Sequence, residues 1–264
     1  MFIYLVIRHI HNNTSAIWIS DIEYQDVVEL CNKENLDKED YLTIFNQTGV
    51  SPYVIRNKIN SDDLENIKEL NNLYLKKPII ERIYVCYPFT TMEYNVKQYT
   101  PLVDIKDGDI LVTFSTSTLD WRHGHCALVI DAAKNETIEH TMVGGKSQKG
   151  TITSWMTQPT FVVLRYDDEN TVFNVVNYAK ENLLGVDYSI FVGLDGNKDK
   201  SLQDSAFASH CSHIVWQAFI TEGVDLDYNG GLIVTPKDIA LSDKLKVVQI
   251  YGLNTEEYID RLLW

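Results

Sequence analysis

Cysteine is scarce. Cys31, Cys86, Cys126 and Cys211 are the only 4 in 264 residues, too few and too scattered for a disulfide framework, so free thiols are expected. Long apolar runs are missing too. The opening run from Phe2 to Ile7 is interrupted by Arg8 and His9, shorter than a signal-peptide core and far short of a membrane span. The expectation is a cytoplasmic protein with no membrane-spanning segment. Basic residues are outnumbered, with 23 Lys and Arg against 37 Asp and Glu and a net charge of −14. Such a chain is repelled on average by phosphate backbones and anionic lipid surfaces, and nucleic acid is not an expected partner. Repeats and low-complexity tracts are absent. What is present is ordinary for a globular protein, 45% hydrophobic and 23% charged residues, and the length is enough to bury a core without a metal or disulfide staple.

The chain divides by texture. Ser20 followed by Glu23 makes a capping-box start, with Ile22, Val27, Val28 and Cys31 as an apolar face, and predicts a helix over residues 21–31. Asp37 ahead of Tyr41, Leu42, Ile44 and Phe45, with Gly49 as a left-handed stop, predicts a second. Ser51-Pro52 opens a third, and Ser61 caps a fourth carrying Leu64, Ile67, Leu70 and Leu73 until Pro78. Residues 1–95 are thus expected to form a helical N-terminal extension. After about Thr100 strand signals gather: Ile110 to Phe114 behind the Asp107-Gly108 turn, His125 to Asp131, its return Thr137 to His140, Phe161 to Tyr166, and Val247 to Tyr251. Helices are expected between Val172 and Gly185, from Cys211 to Gly223, and at the end around Tyr258, Leu262 and Leu263. Residues 96–264 therefore read as an α+β domain, antiparallel strands packed on helices.

The chemistry concentrates around Cys211. In Ser209-His210-Cys211-Ser212-His213, with Ser209 as the expected N-cap, the thiol lies in the first helical turn. The partial positive charge there favours thiolate over thiol. A thiolate nucleophile needs an imidazole to share its proton, and His125, directly after Gly124 at the mouth of a strand, is the best placed. Cys126 beside it points to the opposite face and is expected in the core. A third group should orient the imidazole, and Glu139 and His140 both qualify chemically. A two-residue Lys134-Asn135 turn selects His140; a longer or bulged one selects Glu139. Local reasoning leaves that open.

The order His, then an acid on the next strand, then Cys at a helix start resembles the circularly permuted branch of the NlpC-type cysteine peptidases, the YiiX/YaeF-like group with a papain-like core. The matching segments are Gly108-Asp109-Ile110-Leu111, Gly124-His125, Thr137-Ile138-Glu139, Cys211-Ser212 with Val215-Trp216-Gln217-Ala218, and Thr235-Pro236. The resemblance implies Cys211 as nucleophile, His125 as general base and Glu139 as the orienting residue, with Tyr188, Ser212 and His210 around the substrate. His210 and His213 depart from the group, which more often shows an aromatic and an acid there.

The implied activity is cleavage of an amide bond in a cell-wall-type peptide or small amide through an acyl-enzyme, with no cofactor. The alternatives are a lipid acyltransferase or thiol esterase, and a non-catalytic binding module on the same fold. A zinc hydrolase is weighed as well. His123, His125, His210, Cys211 and His213 are soft ligands, but no carboxylate or Cys-x-x-Cys spacing completes a set. The stretch Asp195 to Ser201 imitates the start of a calcium loop but lacks the glycine and glutamate that complete one, and Gly144-Gly145-Lys146 reads as a turn rather than a phosphate loop.

Overall fold

The computed structural model describes residues 17–58, 63–87, 89–141, 144–194, 198 and 207–264. The opening apolar run and the cap expected at Ser61 lie outside them. In chain order the elements are α1 (Val28–Cys31), α2 (Lys38–Thr48), α3 (Pro52–Lys58), α4 (Asp63–Tyr74), β1 (Ile80–Cys86), β2 (Thr90–Asn95), β3 (Ile110–Thr113), β4 (Thr116–Thr118), β5 (Trp121–Arg122), β6 (His125–Asp131), β7 (Glu136–Glu139) and β8 (Gln148–Thr151). There follow α5 (Ile152–Trp155), β9 (Phe161–Arg165), α6 (Glu169–Asn182), β10 (Asp187–Tyr188), β11 (Ala208–Ser209), α7 (Cys211–Ile220), α8 (Pro236–Leu241) and β12 (Lys246–Tyr251).

The centre is a six-stranded antiparallel sheet in the order β12-β9-β3-β6-β7-β8. Alternation along its strands feeds two cores. Ile110, Val112, Cys126, Leu128, Val162 and Leu164 face the helices α6, α7 and α8. Leu111, Ala127, Val129, Val163 and Val248 face the opposite way, onto Val27 and Cys31, Ile44, Val54 and Ile55, and Ile67 and Leu70 of the N-terminal helical segment. Each Val, Leu or Ile among them taken fully out of water contributes about 1.5–3 kcal/mol. The N-terminal helices thus form a layer on the sheet, with helices on both of its faces.

Local chemistry explains most element ends. Asp37 and Asp40 form a reciprocal capping box at the start of α2, and Gly49 closes it. Ser20, by contrast, does not open a helix, and only Val28–Cys31 is helical there. The Ser20 hydroxyl accepts from the Ile22 N–H at 3.2 Å. Gln47 and Asn71 then clamp the Glu23 carbonyl, Gln25 carbonyl and Val27 N–H. Those side-chain bonds from α2 and α4 hold residues 21–27 out of the helix their local sequence favours.

A second sheet, β1-β2-β4-β5, contains the hairpin 80–95 inside the span read as helical. Its sequence hides it because three of the buried residues of β2, Thr90, Glu93 and Asn95, are polar, and Glu93 is held by Arg82 at 2.7 Å and Arg122 at 2.9 Å. The end of the chain also differs from expectation. Two 3-10 turns, Thr255–Glu257 and Ile259–Arg261, replace a helix, because the Leu263 N–H is drawn to the Val247 carbonyl of β12 at 3.1 Å.

Candidate active site

Helix α7 starts at Cys211, but its cap is His210 rather than Ser209. His210 has extended backbone (φ −137°, ψ 177°), and its Nδ1 accepts from the His213 N–H at 3.3 Å. Ser209 serves the helix differently, its hydroxyl meeting His213 Nδ1 at 2.9 Å, while His213 Nε2 donates to the Lys198 carbonyl at 2.9 Å. His213 is fully buried, both its nitrogens are used, and burial pushes its pKa down to about 4. It pins the helix start from behind.

The imidazole arrives from the sheet. Gly124 turns the chain into β6 with φ of 82°, and a Cβ there would come within 2.5 Å of the Thr113 carbonyl oxygen, so glycine is required. Behind that turn sits Pro236, the first residue of α8, whose start is fixed by a Thr235–Asp238 capping box. His125 is the first residue of β6 and pairs with Thr113. At this end of the strand it reaches the N-terminus of α7, while Cys126 turns into the core with its thiol pKa raised by burial.

The parity question falls to Glu139 through a bulge. Ala127 pairs with Glu139 and Val129 with Thr137, but Asp131 pairs with Glu136, so one extra residue is accommodated near Ile130. Asn135 takes the left-handed conformation at the turn (φ 62°). Glu139 therefore shares a face with Ala127 and His125. His125 Nε2 meets Glu139 Oε2 at 2.6 Å, and Glu139 Oε1 accepts from the Thr137 hydroxyl at 3.2 Å. On the neighbouring strand Gly150 leaves the room for this carboxylate, since a Cβ there would overlap Glu139 Oε1. Trp155, which nothing in the sequence reading singles out, lies under the His125 ring, with centroids 5.7 Å apart and planes 14° from parallel. Its π face favours a cationic imidazole.

With Nε2 committed to Glu139, Nδ1 of His125 is left for the thiol. Burial alone would raise the Cys211 pKa, but hydrogen bonds with His125 and His210 and their charge pull it well below the ordinary thiol value. Burial alone would lower the His125 pKa, but hydrogen bonds with Cys211 and Glu139 hold it raised, past neutrality. The stable form of the pair near neutral pH is thiolate and imidazolium.

The remaining candidates take different places. Tyr188 pairs with Ser209 in the short parallel ladder ahead of Cys211 and meets the His140 ring edge-on at 5.4 Å. The Ser212 hydroxyl is buried, donates to the Val234 carbonyl at 2.9 Å and lies 3.3 Å from His210 Nδ1, so its side chain braces the start of α7. His123 is paired on both sides, with the Thr118 hydroxyl at 2.9 Å and the Gly124 carbonyl at 2.7 Å. His140 is buried with neither ring nitrogen partnered, and His210 Nε2 is likewise without a nitrogen or oxygen partner.

Among the described residues no three His, Cys, Asp or Glu side chains are arranged to hold a metal ion. Of the calcium-like stretch only Lys198 is described, with its ammonium 2.7 Å from Asp227. Lys146 of the Gly144-Gly145 turn pairs with Asp187 at 2.8 Å. No described helix is long and apolar enough to cross a membrane. A surface cleft of about 630 Å³ lined by Tyr53, Lys106, Phe173 and Lys180 shares no residue with the cysteine site. No protein-family model, curated protein or solved structure matches this chain.

Proposed function

We propose that the protein is a thiol hydrolase that cleaves an amide bond through an acyl-enzyme, built on a circularly permuted papain-like core of the NlpC type. The observation that carries this reading is the contact chain from the Cys211 sulfur through the His125 ring to the Glu139 carboxylate, at a helix N-terminus that favours the anion. The thiolate attacks the carbonyl carbon, forming a C–S bond as the carbonyl electron pair moves to oxygen. That oxygen meets backbone N–H groups of the first turn of α7, which have no carbonyl four residues back to bond. When the C–N bond breaks, imidazolium His125 gives its proton to the departing amine, then takes one from the water that releases the acyl group. Glu139 and the Trp155 face keep the ring oriented and charged. The resemblance of the His-acid-Cys order to the permuted NlpC group favours a cell-wall-type peptide or a small amide as substrate.

The test uses p-nitrophenyl acetate as an acyl donor. One acetyl group should be found on Cys211 by peptide mass mapping, absent in Cys211→Ser and strongly diminished in His125→Ala. A folded wild-type protein whose Cys211 is neither acetylated nor alkylated by iodoacetamide would instead be a binding module.

A further inference from the structure

We propose that His140 is a catalytic hydrogen-bond donor, its imidazole N–H receiving the oxygen of the acyl group as Cys211 attacks. The inference rests on the acyl-transfer reading above and goes beyond it by assigning a side chain to the oxyanion. His140 is 2% exposed, and both Nδ1 and Nε2 lack a hydrogen-bond partner. The contrast with its neighbours is chemical. His213, fully buried, and His123, half-buried, each satisfy both nitrogens. A buried polar group left unpaired carries a desolvation penalty that packing alone does not justify. His140 directly follows the orienting residue Glu139, and its ring is held edge-on against Tyr188, whose strand pairs with Ser209 just ahead of Cys211. The charge of Cys211 acts on the ring as well, so His140 lies beside the cysteine site.

Burial sets its form, lowering the pKa to about 4, so the ring is neutral at physiological pH. A neutral imidazole offers one N–H and one lone pair. As the C–S bond forms and the carbonyl π pair moves to oxygen, the new negative charge accepts that N–H. When the pair returns and the C–N bond breaks, the N–H stays on His140, and the proton for the amine comes from His125. His210 stands on the same side. Its Nδ1 accepts from the His213 N–H and lies 3.3 Å from the Ser212 hydroxyl, so its hydrogen bond with Cys211 falls to Nε2.

Alkylation and acylation separate the roles, because displacement on iodoacetamide builds no oxyanion whereas acetylation by p-nitrophenyl acetate does. His140→Phe keeps a ring in the space and removes the donor, and His140→Gln restores an N–H. The expected result is acetylation of Cys211 slowed about 10²–10³-fold in the Phe variant, alkylation within about twofold of wild type, and partial recovery in the Gln variant. Unchanged acetylation in His140→Phe, or equal loss of acetylation and alkylation, overturns the assignment. Wild-type protein that is alkylated yet never acetylated overturns the acyl-transfer reading itself, and the role of His140 with it.

Discussion

Strand β3 connects two buried polar clusters that are built on opposite principles. At its start, Asp109 is fully buried and takes both Nε and Nη2 of Arg165 at 2.7 Å, while Arg165 Nη1 reaches Asp104 at 2.8 Å and the Lys106 N–H completes the carboxylate at 2.8 Å. At its end, Thr113 pairs with His125, and beside the cluster of Cys211, His125 and Glu139 stand His210, hydrogen-bonded to the cysteine, and His140, with both nitrogens unused. A bidentate Arg–carboxylate pair with both carboxylate oxygens bonded is a scaffold. A cluster that keeps buried donors open is paid for in stability by the rest of the fold and makes sense only if something polar is to be bound.

That contrast is broken most severely at the nucleophile. Cys211→Ser and His125→Ala should each lower turnover about 10⁴-fold with the far-UV circular dichroism spectrum retained. Near-native turnover in either would remove the triad. The other cluster should fail in the opposite manner. Asp109→Ala leaves Arg165 charged and buried, and urea unfolding should show a loss of about 3–5 kcal/mol, while Cys211 in the surviving folded protein keeps its alkylation rate. If that rate collapses too, the two ends are not independent.

Orientation comes next. Glu139→Gln should reduce turnover about 10²-fold, less than loss of the imidazole itself. Gly150→Ala, which drives a methyl into the same carboxylate, should act in the same direction. The smallest effect is expected at Ser212→Ala, about 1 kcal/mol in a thermal melt from the lost bond to Val234, with turnover unchanged. A large activity loss there would return Ser212 to the substrate side.

How much of this could be read beforehand differs by residue. Asp37 and Gly49 bound a helix because the signals are local and agree with the packing. Cys211 at a helix start and His125 at a strand mouth were legible for the same reason. The cap was misplaced by one residue because an imidazole nitrogen at His210 does the work assigned to the Ser209 hydroxyl. Glu139 against His140 hung on the bulge near Ile130 and the left-handed Asn135, and neither leaves a mark in hydrophobic period. Trp155 and the open nitrogens of His140 were invisible, since both are facts of tertiary contact between segments distant in the chain. The hairpin 80–95 was hidden because three of the four buried residues of β2, Thr90, Glu93 and Asn95, are polar, with Met92 the apolar one.

The central claim is an ion pair, and the pH dependence of Cys211 alkylation by iodoacetamide tests it most directly. Because the thiol pKa is depressed by His125 and that of His125 is raised in turn, wild-type protein should react at its full rate well below the pH at which ordinary thiols ionise, about 8.5. In His125→Ala the profile should move to higher pH, where burial alone would put it. A wild-type rate that rises only through the ordinary thiol range, or a profile identical in the two proteins, contradicts the account.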